Sequence, residues 1–180
     1  GQYNLPIDVF WATGACLMIR SAAFFDAGGF DSRFFAHMEE IDLCWRLQLK
    51  GHRIGVVPQS AIFHVGGGTL PRTSPRKTFL NFRNSLYLIA KNLPSRFFYF
   101  LLPIRLGLDS MAALKFLFTG YRKDAMAVFK AYVAFFRLMI PLRKECNARQ
   151  LPALLYRRSI VLDYFLLGKK RFSELPSQFR

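Results

Sequence analysis

The sequence predicts an α/β region followed by a mainly helical region. Short apolar runs bounded by Gly and Pro indicate strands in the first part, whereas apolar residues spaced three and four apart indicate helices throughout. Charge divides the chain in the same way, because residues 1–70 contain 5 Lys and Arg against 6 Asp and Glu, whereas residues 71–180 contain 21 against 5. The predicted division is an α/β part over residues 1–94 and a basic, amphipathic helical tail over residues 95–180.

The first elements are two predicted strands and a short helix. Apolar runs over residues 7–11 and 15–19 predict the strands, with a turn between them. Ser21 is a favourable N-cap for a helix over residues 22–27, and the glycine pair that starts at Gly28 ends that helix.

The next predicted helix, over residues 39–49, has three acids in its first turn. Its apolar residues recur at i, i+4 and i+8 and predict one buried side, and a Lys-Gly pair marks its end. The helix macrodipole favours negative charge at an N-terminus, so helix capping alone is one explanation of the acids. The acids are Glu39, Glu40 and Asp42.

Two short strands, over residues 53–57 and 61–63, are predicted to follow and to lead into His64 and three consecutive glycines. Consecutive glycines permit close approach of the backbone to a ligand. Clustered carboxylates, an imidazole and a glycine loop in one compact unit are the parts of a metal–diphosphate site or an acid–base site. Alternatively, His64 is only a residue of a turn and binds no ligand.

A strong helix start follows at Ser74-Pro75, an N-cap followed by proline at the first helical position, and Pro94 predicts the end of that helix. The residues expected on its apolar face are Phe79, Phe82, Leu86, Ile89 and Leu93. Basic residues are expected on its other sides, namely Arg76, Lys77, Arg83 and Lys91.

The tail is rich in apolar residues, but charged residues interrupt every long apolar run. Helices are predicted from residue 95 onward, over residues 124–140 and over residues 151–167. Because no run reaches the ~18–20 uninterrupted apolar residues of a spanning helix, we expect peripheral binding to an anionic membrane surface. Packing on the first part or on a second copy of the chain, as a homodimer, is the alternative. Nucleic acid is disfavoured, since the basic residues are spread through apolar helices.

Four motifs occur in a characteristic order: GACLMIR at 14–20, GGFD at 28–31, EEIDLCWRL at 39–47 and FHVGGGT at 63–69. Together they resemble the acceptor half of a family 2 glycosyltransferase, in particular bacterial rhamnosyltransferase-like members with a GT-A (Rossmann-like) fold. The resemblance covers roughly residues 5–95. It implies inverting transfer of a sugar from a nucleotide-sugar donor to a hydroxyl of a saccharide or lipid-linked acceptor.

The resemblance also implies roles for individual residues. Glu40 takes the position of the family's general base, where an Asp is usual. Glu keeps the carboxylate but is one methylene longer than Asp. Glu39 and Asp42 are therefore alternatives, either as the base itself or together with Glu40. His64 is implied to complete the coordination of Mg²⁺ or Mn²⁺, or to contact the diphosphate leaving group.

Two further sets of residues are implied to bind substrates. The acceptor side is expected to include Thr13, Gly14, Ala15 and His37. The donor diphosphate is expected to contact Gly66, Gly67, Arg72 and Arg76. Tight strand packing and solvated surface charge are the structural alternatives for these small and basic residues.

The 180 residues contain no Asp-x-Asp metal motif and no N-terminal nucleotide-binding half. The resemblance therefore implies a partial GT-A domain from the C-terminal portion of a longer enzyme, inactive alone and held at the cytoplasmic membrane face. Three widely spaced cysteines indicate neither a disulfide framework nor a zinc site, and no signal peptide is recognisable. A non-catalytic membrane-surface binding module and a metal-dependent hydrolase are the alternative functions.

Overall fold

The computed structural model describes residues 4–64, 74–156, 160–171 and 174. In this part of the chain a two-stranded antiparallel sheet accompanies a set of mainly long helices. In chain order the elements are β1 (Ile7–Asp8), α1 (Ser21–Asp26), α2 (Glu39–Leu49), β2 (Gly55–Val56), α3 (Pro75–Asn92), α4 (Ser95–Phe118), α5 (Arg122–Glu145) and α6 (Ile160–Phe165).

The strands are shorter and fewer than the sequence predicts. Ile7 pairs with Val56 and Asp8 with Gly55, which confirms only part of the predicted strands. The strands predicted over residues 15–19 and 61–63 are wrong, because neither segment pairs with another strand in the described part of the chain. The partial GT-A fold stays a prediction.

Helix α2 has the predicted bounds but is buried on two sides. Trp45 packs edge-to-face on Phe10, with ring centroids 5.2 Å apart, and belongs to the main core. Leu43 and Leu47, on the opposite side, form a second cluster with Ala27. The prediction of one buried side is wrong, because residues of α1 cover the face that the apolar spacing leaves to solvent.

Helix α3 begins as predicted. The Ser74 Oγ atom accepts a hydrogen bond from the Lys77 backbone N–H at 3.1 Å, and Pro75 is the first helical residue. The side-chain oxygen satisfies one of the amide groups that have no partner within the helix.

The three long helices pack side by side. Helices α3 and α5 run parallel, because Thr78 contacts Asp124 near their first turns and Arg143 donates to the Ala90 carbonyl near their last turns. The short turn after α4 makes α4 antiparallel to α5.

The main core joins the two predicted parts of the chain. Its buried side chains come from the segment before α2, from α2 itself and from α3, α4 and α5. The largest of them are Phe34, Trp45, Leu86, Tyr87, Phe98, Phe135 and Leu142. Side chains from both sides of the predicted boundary after residue 94 therefore pack into one core.

The tail helices differ from their predicted bounds. Helix α5 is longer than the predicted 124–140, whereas the helix predicted over residues 151–167 is reduced to α6. Residues 151–156 turn at the buried Pro152, whose carbonyl accepts from the Leu155 N–H at 3.2 Å, and residues 157–159 lie outside the described part. By length and composition alone, α4 and α5 are each able to cross a bilayer.

Candidate functional site

The backbone directly ahead of the acidic helix has an unusual conformation. Phe35, His37 and Met38 have positive φ angles of 63°, 69° and 73°. Such angles are uncommon for residues with a side chain, and they persist only where the surroundings hold them. This segment leads into Glu39 and Glu40, so the acids start from a backbone that the rest of the fold fixes.

Asn84 on α3 is the residue that holds this backbone. Its side chain is fully buried. Its amide nitrogen donates to the carbonyls of Phe34 at 2.9 Å, Ala36 at 2.8 Å and His37 at 2.7 Å. The two N–H groups of one buried side chain are therefore shared among three carbonyls of a loop that forms no regular structure.

Arg83 supports the same arrangement from the neighbouring position on α3. Its guanidinium donates to the Phe34 carbonyl at 3.0 Å and to Asn84 Oδ1 at 2.8 Å. Burial lowers the pKa of Arg83, the charge of Tyr87 acting in the opposite direction. The prediction that Arg83 lies on a side of α3 away from the core is wrong, because the residue serves the loop before α2.

Three polar atoms beside this loop are buried without hydrogen-bond partners among the described residues. They are His37 Nε2, Glu39 Oε2 and Glu40 Oε2. Buried polar atoms are nearly always paired in folded proteins, so three in one place indicate a site for a polar ligand. His37, Glu39 and Glu40 are also predicted site residues, and the structure brings them together.

The environment of Glu40 changes its acidity. Burial, with the neighbouring charge of Glu39, raises the pKa of Glu40 above its ordinary value and outweighs the opposing effects of backbone N–H groups and of His37. A raised pKa makes the ionised carboxylate a stronger base, which suits proton abstraction near neutral pH.

The turn after β1 lies against Glu40. A Cβ atom added to Gly14 would be 3.9 Å from Glu40 Cβ, so this turn lies close to the side chain of Glu40. Thr13 closes the turn by accepting from the Cys16 N–H at 3.2 Å and from the Ala15 N–H at 3.4 Å. The structure therefore places the predicted acceptor-binding turn beside the predicted base.

Asp42 has a different environment, although it is two residues from Glu40. It is fully buried, and both of its oxygens are bound. Oδ2 pairs with Arg46 at 2.7 Å and with Lys91 at 2.9 Å, and Oδ1 accepts from Asn92 at 2.8 Å. These contacts tie α2 to α3 and explain Asp42 as a residue that holds the fold.

The same network includes the GGFD motif. Asp31 binds Lys91 and Arg33, each at 2.6 Å. Burial opposes the charged form of Asp31, but the hydrogen bonds from Arg33 and Lys91 outweigh it and hold the pKa of Asp31 well below its ordinary value. The prediction that Lys91 lies away from the core is wrong, since its side chain joins Asp31 to Asp42.

The glycines of this motif have a conformational role. Gly28 and Gly29 have φ angles of 82° and 64°, which glycine adopts without strain. Arg46 of α2 donates to the Gly29 carbonyl at 2.7 Å and also to the Ala27 carbonyl. The turn is therefore fixed to the acidic helix by the arginine that also binds Asp42.

The predicted donor side is only partly visible. The Arg76 guanidinium lies over the Phe35 ring at 5.1 Å, next to the loop that precedes the acids. His64 is exposed at the end of a described segment. Gly66, Gly67 and Arg72 lie outside the described residues.

The described residues do not form the predicted metal site. In residues 4–64, 74–156, 160–171 and 174, no group of three His, Cys, Asp or Glu side chains is arranged to hold a metal ion. His64 therefore has no second and third ligand in this part of the chain. Binding of Mg²⁺ or Mn²⁺ stays a prediction.

Sequence reasoning missed Asn84 and the Asp31–Lys91–Asp42 network. The sequence did contain a signal for them. Asn84 and Lys91 lie four and eleven residues after Leu80, on the same stripe of α3 as Leu80 and Tyr87. Polar residues on an apolar stripe indicate buried hydrogen-bond partners on the facing element.

Comparison with characterised proteins gives partial matches to glycosyltransferases. A 56-residue stretch, 31% of this chain, is 43% identical to N-acetylglucosaminyl-diphospho-decaprenol L-rhamnosyltransferase of Mycobacterium tuberculosis and covers 18% of that protein. A stretch of the same length is 39% identical to rhamnosyltransferase WbbL of Escherichia coli K12 and covers 21% of it. A stretch of 83 residues, 44% of the chain, is 34% identical to the pre-mycofactocin glycosyltransferase of Mycobacterium tuberculosis and covers 17% of it.

The matches thus span about a fifth of the length of these relatives. No family model and no solved structure matches the chain. Part of the chain is glycosyltransferase-like in sequence.

Proposed function

We propose that this chain forms the acceptor-side part of an inverting family 2 glycosyltransferase with a GT-A fold. The enzyme transfers a sugar from a nucleotide-sugar donor to a hydroxyl of a saccharide or lipid-linked acceptor, in the synthesis of a cell-surface polysaccharide or glycolipid. The observation that carries this proposal is the cluster of His37, Glu39 and Glu40, in which each residue has a buried polar atom without a described partner, and the cluster lies next to the turn at Gly14. The partial similarity to rhamnosyltransferases supports the same reaction class.

In this proposal Glu40 is the general base. Its carboxylate takes the proton of the acceptor hydroxyl as the hydroxyl oxygen forms a bond to the anomeric carbon. The bond from that carbon to the diphosphate oxygen breaks, and the nucleoside diphosphate leaves with the electron pair. Attack from the face opposite the leaving group inverts the anomeric configuration.

The neighbouring residues have supporting roles. His37 and Glu39 offer polar atoms that orient the acceptor, and the turn over residues 13–15, which lies beside Glu40, contacts the acceptor. Asp42 holds α2 in place and does not exchange protons with substrate, because both of its oxygens are already bound. The protein acts at the cytoplasmic face of the membrane.

The test uses the longest natural reading frame that contains this chain, assayed for sugar transfer with a panel of nucleotide-sugar donors. Glu40→Gln is expected to lower kcat by about 10²–10⁴-fold, the usual contribution of a general base, and to leave nucleotide binding unchanged. Asp26→Asn, which alters an exposed acid on α1, is the matched control and is expected to retain full turnover.

Three outcomes would change the assignment. Full turnover in Glu40→Gln with loss in Glu39→Gln moves the base to Glu39. Full turnover in both variants removes the acids from the chemistry. Release of free sugar without transfer to any acceptor indicates a hydrolase.

A further inference from the structure

Helix α4 exposes a wide apolar face. Between Arg96 and Lys115, 18 residues span about 27 Å along the helix axis. Ten of these 18 residues are exposed, and they lie on one side of the helix. The large exposed side chains there and at the end of the helix include Phe100, Ile104, Leu108, Met111, Leu114 and Phe118. An exposed apolar surface of this extent indicates an interaction site.

The two charged residues inside this stretch lie on the opposite side of α4. Arg105 Nε is 2.8 Å from Asp109 Oδ1, and the Arg105 guanidinium donates to Ser85 Oγ on α3 at 2.9 Å. Asp109 is 4% exposed. The charges that interrupt the sequence pattern are therefore directed toward the protein, and they leave the outer face of α4 apolar.

Helix α5 extends this apolar face and adds a row of cations. Its exposed apolar side chains are Met126, Phe129, Val133, Phe136 and Ile140. Four of its exposed basic residues recur every seven positions, at Lys123, Lys130, Arg137 and Lys144. Seven residues are close to two helical turns, so these four cations form one line along the helix.

The order of these stripes follows from one contact between the helices. The Tyr132 hydroxyl donates to the Leu106 carbonyl of α4 at 3.0 Å, so Tyr132 marks the side of α5 that faces α4. Phe129 and Phe136, three and four positions from Tyr132, lie on that side. Lys130, two positions away, lies on the far side. The surface therefore runs from the face of α4, through the apolar stripe of α5, to the cationic row.

We propose that this surface, the outer faces of α4 and α5, binds an anionic lipid bilayer with both helices parallel to the membrane plane. The apolar side chains enter the boundary between headgroups and acyl chains, and the cationic row lies at the level of the lipid phosphates. An apolar face next to a line of Lys and Arg is the pattern of helices that lie in a membrane interface.

The cationic row favours the parallel orientation over a spanning hairpin. In a hairpin that crosses the bilayer, Lys130 and Arg137 would lie in the central part of α5 and therefore near the middle of the hydrocarbon, where charged side chains are strongly disfavoured. With the helices parallel to the membrane, all four cations reach headgroups at the same time. Charge complementarity also favours lipid over a second copy of this face, which presents the same cations.

Flotation of the full 180-residue chain with liposomes tests the binding. Binding to vesicles with 30% anionic lipid is expected to exceed binding to neutral vesicles and to decline between 0.1 M and 1 M salt, because the Debye length falls from about 10 Å to about 3 Å. Lys130→Gln with Arg137→Gln is expected to weaken binding to anionic vesicles by about 30-fold, since each basic residue near the surface contributes about fivefold.

Lys50→Gln with Arg53→Gln is the matched control, with the same change in charge at exposed positions in the first part of the chain. This pair is expected to leave binding unchanged. Equal losses in the two pairs would overturn the cationic row as the specific contact.

Depth measurements test the orientation. Phe100 and Phe118 are 18 residues apart, five full turns, and therefore lie on the same face about 27 Å apart along α4. Met111 lies between them on nearly the same face. Nitroxide labels placed singly at these positions, with Cys16 and Cys146 replaced by serine, are expected to report one common shallow depth. A middle label much deeper than the two end labels would show a spanning helix and overturn the proposal.

Absence of flotation with either lipid composition would also overturn the proposal. Dimers in solution, measured by light scattering, would then assign the face to a second copy of the chain. The inference does not depend on the proposed reaction, because neither flotation nor label depth requires turnover. Lipid binding by this chain, together with no sugar transfer by the longer reading frame, would separate the two proposals.

Discussion

Two faces of the acidic helix place chemically similar groups in opposite environments. On the face toward α3, Asp42 is fully buried and binds Arg46, Lys91 and Asn92. On the face toward the turn after β1, Glu40 has a buried oxygen without a described partner. The residues are only two positions apart, so one short motif contains both arrangements.

The difference between the two environments indicates that Asp42 stabilises the fold, whereas Glu40 remains available to a ligand. A buried carboxylate that has two cations and an amide as partners stabilises the fold and is unavailable to a substrate. A half-buried carboxylate without such partners holds its charge less well, so its pKa rises, as it does for Glu40. Such perturbed groups are concentrated at functional sites.

The largest expected effect on stability comes from the α3 side. Asp42→Asn should lower the free energy of unfolding by about 3–5 kcal/mol, because removing one partner of a buried ion pair leaves uncompensated charge on Arg46 and Lys91. Urea unfolding followed by tryptophan fluorescence measures this loss. Glu40→Gln, two residues away, should change the same free energy by less than about 1 kcal/mol, since Glu40 pairs with no cation in the described part of the chain and Gln keeps an oxygen that accepts from the backbone N–H groups. Similar losses in the two variants would remove the distinction between the faces.

The sequence predicts this helix better than it predicts its neighbours. The acids, the apolar spacing and the Lys-Gly end give the bounds of α2 because they are local signals. The pairing of Asp42 with Lys91 joins residues 49 positions apart, and no local pattern specifies such a contact. The positive φ angles before Glu39 also depend on a distant residue, Asn84. Because Phe35, His37 and Met38 are not glycines, their own sequence gives no signal of these angles.

The tail shows the same limit. A count of charges along α4 could not show that Arg105 and Asp109 pair on its inner side, because that direction depends on where α3 lies. The strands failed for a related reason. An apolar run becomes a strand only where a partner strand is available, and residues 15–19 have none in the described part of the chain.

An intermediate effect is expected where the two faces are connected. Asn84→Ala should lower the free energy of unfolding by about 1–3 kcal/mol, because carbonyls before α2 lose a buried donor. In the proposed glycosyltransferase, assayed as the longer reading frame, the same change should reduce kcat more than it changes KM, because Glu40 follows the loop that Asn84 holds. Asn81→Ala is the matched control, because Asn81 lies one turn earlier on α3 and its side chain makes no hydrogen bond to a described residue. Equal effects of the two substitutions would show that Asn84 does not position the acids.

The smallest expected effect is a difference in the sign of pH dependence between Glu40 and Asp31. The pKa of Glu40 is raised in the folded chain, so folding favours its protonated form. The stability that this form contributes is fully present below the ordinary pKa of about 4.5 and is lost as pH rises through the folded value. The pKa of Asp31 is lowered, so the stability that its ionised form contributes is present above its ordinary pKa of 3.8 and is lost as pH falls toward the folded value.

Glu40→Gln should therefore stabilise the chain slightly at pH 7.5 and should have no effect near pH 3.5. The gain at pH 7.5 should be less than about 1 kcal/mol, because solvent screens a half-buried group. Asp31→Asn should destabilise at pH 7.5, with a smaller loss near pH 3.5. Urea unfolding of both variants at the two pH values measures these differences. If Glu40→Gln instead destabilises the chain at pH 7.5, the Glu40 carboxylate has a favourable partner, and the contrast with Asp42 does not hold.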